Sequence, residues 1–192
     1  MVTLSLDLST HTGYAIVQGE LGRIPRILAY GTVHLPKESI KMYGDYPWSY
    51  VFAVEDLVNK LKTVWENKKL DAILIEETNK ASFSRYSQKV LEFIHFAVLL
   101  ELRQLNIPVY YINTSEWRRV LSLTLSKEDS KNNRMSAAAR KKHGIKGKIT
   151  KKHLAVRHAN ESFGLQLKLV NNDVADALCM IKAYYLGAKI NN

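Results

Sequence analysis

The chain has 192 residues, 46% of them apolar, and no break in composition, which suits one domain with a substantial core. Its 28 lysines and arginines outnumber 18 acids, a formal net charge of +10 that marks proteins meeting nucleic acid or another anionic surface, simple solubility being the plainer alternative. No apolar run approaches the ~18 residues of a membrane span, and a single cysteine, Cys179, excludes an internal disulfide framework. The opening residues have no basic start and reach Asp7 almost at once, so no secretion signal and a reducing, cytoplasmic compartment are expected.

In chain order, residues 2–8 alternate, with Leu4, Leu6 and Leu8 on one face and Ser5, Asp7 and Ser9 on the other. A turn is expected over 9–13, a second strand over 14–17, and a third over 27–35 after Gly22 and Pro25; the short connections predict an antiparallel meander. Residues 48–65 carry Val51, Val54, Leu57, Val58, Leu61 and Val64 in a helical stripe. A short apolar strand over 71–76 ends in Glu76, a long helix is expected over 83–105, and a strand over 109–112 follows Pro108. Helices are expected over 115–123, about 129–143, 149–163 and 173–186. Strands in a run, then β-α-β with trailing helices, predict an α/β sheet of mixed direction over a single domain, residues 1–192. Residues 123–148, rich in Lys and Arg and poor in large apolar side chains, read as an exposed basic helical excursion.

Four acids stand where acids are costly. Asp7 interrupts the first strand, Glu76 ends another, and Asp173 and Asp176 lie three residues apart at the start of the last helix, on one face of its first turn. Each has a plain explanation, a helix-terminal acid for Asp173 or a turn cap for Asp7. Together, in a basic protein, they form a carboxylate set suited to the hard cations Mg²⁺ or Mn²⁺, and two such ions clamp the attacking and leaving oxygens of a phosphoryl displacement. The sequence has no zinc spacing, P-loop or GxGxxG, so no nucleotide cofactor is expected.

These motifs resemble the RuvC Holliday junction resolvases. The stretch Leu4-Ser5-Leu6-Asp7 through Thr12-Gly13-Tyr14-Ala15 is similar to the family's opening, Leu74-Ile75-Glu76-Glu77 to its catalytic-glutamate strand, and Asn172-Asp173-Val174-Ala175-Asp176-Ala177-Leu178 to its closing Asp-x-x-Asp-Ala-Leu. Tyr111-Ile112-Asn113-Thr114-Ser115-Glu116-Trp117 resembles the entry from strand five into a helix, and Lys152 occupies the place of a DNA-contacting lysine. The resemblance implies a ribonuclease-H-like fold: a five-stranded sheet, three antiparallel strands and then parallel β-α-β, flanked by helices. It implies a crossover junction endodeoxyribonuclease, with Asp7, Glu76, Asp173 and Asp176 holding two Mg²⁺ ions for which Mn²⁺ substitutes. Its substrate would be branched DNA, four-way junctions above all, cut by paired symmetric nicks. Glu76 is preferred to Glu77 because it directly follows Leu-Ile, and strand alternation sends the two to opposite faces. The loop after Glu76 lacks the aromatic that bacterial members place three residues on; Phe83 or Tyr86 is left as a junction wedge or a packing residue.

Arg118, Arg119, Arg134, Arg140, Lys148, Lys151 and Lys152 are the expected phosphate contacts, against the alternative of a solvated surface. Beyond Val90 the 83–105 helix is apolar nearly all round, which means either burial inside the domain or a homodimer interface through Val90, Phe93, Ile94, Ala97 and Leu100; the resemblance favours the dimer. Rival readings are a related nuclease acting on flaps, branched DNA or RNA, an actin-like ATPase, for which two such domains would be needed, and a catalytically dead DNA-binding module.

Overall fold

A computed structural model describes residues 1–35, 45–77, 85–145 and 147–191. Five strands, β1 (Val2–Asp7), β2 (His11–Gln18), β3 (Arg26–His34), β4 (Ala72–Glu76) and β5 (Val109–Ile112), form one sheet in the order β3-β2-β1-β4-β5. The first three pair antiparallel, and β1–β4 and β4–β5 pair parallel. The expected mixed sheet is therefore present, with β1 at its centre.

Both faces of β1 and β4 are covered, and strand alternation decides what meets what. Leu4, Leu6, Ile73 and Ile75 point to a core layer shared with α1 (Trp48–Trp65) and α2 (Arg85–Arg103). Leu74, Ala15 and Ile112 point the other way, into a layer shared with α3 (Thr114–Val120), α6 (Lys151–Phe163) and α7 (Asn172–Tyr185). Each fully buried Leu or Ile contributes ~1.5–3 kcal/mol of transfer free energy, so these two layers hold the sheet and its helices in one register. Polar side chains of β1 are tied to α7: Ser5 Oγ donates to the Ala177 carbonyl at 2.9 Å, and Thr3 Oγ1 lies 3.1 Å from the Tyr185 hydroxyl.

Several expectations are corrected. The turn after β1 is shorter than 9–13, because β2 already begins at His11 and Gly13 pairs with Asp7 in the ladder. The helix expected over 129–143 is two, α4 (Lys127–Arg134) and α5 (Ala137–Lys142). Ser136 divides them: its side chain accepts from Ala139 N at 3.2 Å, capping α5 and ending the run. The helix buried nearly all round is α7, enclosed between the sheet, α3 and α6. On α2, by contrast, Val90, Ile94, Val98 and Leu102 form a four-residue-spaced stripe in the core. Val90 and Ile94 thus cannot belong to a dimer interface. Phe93 and Ala97 pack partly against the core, while Phe96 and Leu100 are 65% and 41% exposed. Phe83 and the side chain of Tyr86 lie outside the described residues. Among those residues no helix is long and apolar enough to cross a membrane.

The later part of the basic excursion is closed by a side-chain clamp. Asn133 Nδ2 donates to the Ile149 carbonyl at 2.6 Å, and Ile149 N donates back to Asn133 Oδ1 at 3.0 Å, joining α4 to the residues just before α6.

Candidate active site

The acids converge because sheet alternation and one close backbone approach bring them together. In β1, Thr3, Ser5 and Asp7 face α7; in β4, Ala72, Leu74 and Glu76 do. The parallel register pairs Ser5 with Leu74 and Leu6 with Ile75, so one further step sets Asp7 beside Glu76. Across the other edge, Asp7 pairs with Gly13, and a side chain on Gly13 would collide with the Asp173 backbone. The missing Cβ lets β2 touch the first turn of α7, which carries Asp173 and, one turn on, Asp176.

The result is a crowded set of carboxylates. Loss of hydration and the neighbouring charges of Glu76, Asp176 and Asp173 push the Asp7 carboxyl well above the usual range, and Asp7 also shares a hydrogen bond with Glu76. Asp176 is 7% exposed and its pKa is pushed up to about 7, by burial first and by Glu76 second. Arg118, 3.7 Å away, and Lys152 pull in the opposite direction, but burial wins. The Asp176 Oδ1 atom is buried with no hydrogen-bond partner.

Glu76 is held from α3. Its Oε1 accepts from Thr114 Oγ1 at 2.6 Å and from Trp117 Nε1 at 2.9 Å, with Trp117 fully buried. Glu77 turns elsewhere, accepting from Asn113 Nδ2 at 2.9 Å. Asp173 Oδ1 accepts from Asn172 Nδ2. Among the described residues no group of three or more His, Cys, Asp or Glu side chains is already arranged to hold a metal ion. The donor set nevertheless fits a hard divalent cation: four carboxylates, two with pKa raised by burial and then by neighbouring carboxylates, and one buried oxygen without a partner. Thr114 and Trp117 carry no charge or spacing signal, and only their place in the strand-five-to-helix motif marks them in the sequence.

The expected phosphate contacts separate into groups. Arg134, Lys148, Lys151 and Lys152 are exposed. Arg119 is exposed but bound by Glu116 through two hydrogen bonds of 3.0 and 2.9 Å. That contact is the main reason the Glu116 carboxyl is pulled down to about 2. Arg140 is partly buried and donates to the Met135 carbonyl. Arg118 is not on a solvated surface: it lies against Asp176 and over the Trp117 ring, 4.6 Å from the ring centroid.

Neither protein-family models nor curated proteins match the sequence. Solved structures do match the fold. The chain is similar to Thermus thermophilus RuvC in complex with a Holliday junction substrate, at 16% identity over 100% of both chains with a TM-score of 0.68. A second Thermus thermophilus RuvC structure matches at 17% identity over 100% of both chains, TM-score 0.63. The yeast mitochondrial Holliday junction resolvase matches at 14% identity, over 96% of this chain and 77% of that one, TM-score 0.54. The chain has the ribonuclease-H-like fold that these resolvases share.

Proposed function

We propose that this chain is a structure-selective endodeoxyribonuclease that resolves four-way DNA junctions by paired nicks. The observation that carries this reading is the convergence of Asp7, Glu76, Asp173 and Asp176 on one side of a RuvC-like sheet, in a protein of net charge +10. The four carboxylates would hold two divalent cations, Mg²⁺ or Mn²⁺. When bound, such ions activate water and neutralise charge on a phosphodiester in flight.

The chain's own residues do the rest. Thr114 and Trp117 fix the rotamer of Glu76, which keeps one ligand oriented and limits reorganisation on loading. Arg118 and Lys152 temper the repulsion around Asp176 and would meet phosphate oxygens of the bound strand. Beyond them, Arg134, Lys148 and Lys151 give an exposed cationic approach for crowded backbones. Two symmetric nicks need two sites, and a two-fold homodimer supplies them. The surface left for that contact is Phe96 and Leu100 with the flanks of Phe93 and Ala97.

A cleavage panel with Mg²⁺ tests the reading, comparing four-way junctions, flaps, linear duplex and RNA–DNA hybrid. Preferential junction cutting is expected, with a supercoiled cruciform plasmid passing to linear product without much nicked circle. Equal or better cutting of flaps or hybrid would favour the alternative, a related nuclease of broader substrate range. A monomer on DNA would remove the paired-nick mechanism.

A further inference from the structure

Beside the carboxylates, the end of α3, the loop after it and the first residue of α6 line an open-sided cleft of about 470 Å³. Its walls include Leu123 and Leu125, the hydroxyl side chains of Ser122 and Thr124, and the cations of Arg118 and Lys151. Leu123 is buried and Leu125 half-buried, whereas Ser122, Thr124 and Lys151 are exposed, so apolar surface lies deeper than the polar groups. The loop is held by its own backbone: Leu123 N donates to the Arg118 carbonyl at 2.8 Å, and Ser122 N to the Arg119 carbonyl at 3.1 Å. Arg118 belongs to both places. It lines the cleft and stands 3.7 Å from Asp176, so the cleft opens one side chain away from the acids.

The volume falls in the ~300–1,000 Å³ range of small-ligand pockets. A bare phosphate would leave the leucine surface unused, and a purely apolar ligand would not engage the cations of the wall, Lys151 and Arg118, the latter already 3.7 Å from Asp176. A nucleotide uses both, its base on the apolar wall and its phosphate on the cations. We infer that the cleft receives one unstacked nucleotide of the strand being cut, next to the scissile phosphodiester, with its base against Leu123 and Leu125 and its phosphate between Arg118 and Lys151. This inference rests on the proposed nuclease function and adds the part of the substrate that reads the strand at the cutting step.

The test is a chemical double-mutant cycle. Junctions carry an abasic residue on one side or the other of the mapped cut, and single-turnover rates are compared for the wild type and Leu125→Ala. At one of the two positions the abasic residue should slow the wild type about tenfold and slow Leu125→Ala much less, since the variant has already given up the base's apolar wall. Thr124→Glu, at an exposed position, is a second variant independent of packing and should weaken junction affinity through charge at the mouth. Multiplicative, uncoupled effects at both positions, or an abasic residue without effect, would overturn the inference, as would unchanged affinity in Thr124→Glu. A wild type that cuts no junction overturns the nuclease reading itself; one that cuts without coupling overturns only the nucleotide cleft.

Discussion

A Cβ placed on Gly13 would stand 2.1 Å from the carbonyl oxygen of Asp173. No rotamer change relieves that clash, because a Cβ is fixed by its own backbone and the atom it meets is backbone. Gly13→Ala must move β2 and the first turn of α7 apart, separating Asp173 from Asp7. Overpacking of this kind costs ~1–3 kcal/mol. Urea denaturation should show that loss, and junction cleavage should fall more than tenfold even where the variant is fully folded. Wild-type stability and turnover together would show that the close approach is dispensable.

The four acids make a stricter prediction. Asp7→Asn, Glu76→Gln, Asp173→Asn and Asp176→Asn should each abolish cleavage while junction binding persists, since a carboxamide keeps the shape and loses the cation-binding charge. Gel-shift titration in EDTA measures the second half and should show equal or tighter binding, as negative charge has been removed near DNA. Near-normal turnover in two of these variants would sink the site.

Trp117→Phe separates orientation from ligation. The ring still packs, but Glu76 Oε1 loses one of its two donors. Supporting hydrogen bonds of this sort are worth ~10–100-fold in metal affinity or activity. The expected signature is a higher Mg²⁺ concentration at half-maximal cleavage, with Thr114→Val showing the same and the double variant more. An unchanged Mg²⁺ dependence would leave Trp117 as a packing residue only.

Buried and mutually crowded carboxylates also set a pH dependence in the metal-free protein. Asp7 and Asp176 have folded pKa values above their unfolded ones, with Asp176 at about 7 against an ordinary 3.8. Between those two values the native state holds protons that the unfolded chain has released, so stability is present at low pH and is lost as pH rises towards 7. Melting in EDTA should therefore show Tm falling from pH 5 to pH 8. Mg²⁺ should restore more at pH 8 than at pH 5, and Asp176→Asn should flatten the decline. A Tm in EDTA that rises over this interval would contradict the burial and crowding of these carboxyls.

The exposed cations predict a salt effect. Neutralising Arg134, Lys148 and Lys151 should reduce the slope of log K against log salt by about 0.9 for each phosphate that no longer meets a cation. An unaltered slope would mean that these side chains only solvate the surface.

Much of the site is legible in the sequence because strands have a period of two. A carboxylate at Asp7, among residues buried on both faces of β1, has no reason to be there unless something compensates it, and Glu76 repeats the signal on the adjacent strand. Pairing of Asp7 with Gly13 is not legible, since the Thr-Gly pair reads as turn chemistry until the ladder extends through it. The grip of Thr114 and Trp117 on Glu76 spans 38 and 41 residues and leaves no local pattern. The apolar surplus misleads in a specific way. A helical wheel does not show which side of α2 the sheet takes, and Val90 and Ile94 are on the side that faces it. The all-round burial of α7 is hidden by its small residues, Ala175, Ala177 and Ala183, which pack tightly but register weakly as apolar.

The Asn133–Ile149 clamp gives the excursion the character of a stalked appendage. The pair of hydrogen bonds joins Asn133, partway along the excursion, to Ile149 just past its end, so the entropy of closing the residues between them depends only logarithmically on their number. Residues between the clamp points can be shortened, lengthened or exchanged without changing the span that the sheet and α6 must bridge. The sheet with its carboxylates and the basic arm are therefore separable parts of the molecule, and a change between the clamp points leaves the carboxylates where the sheet puts them.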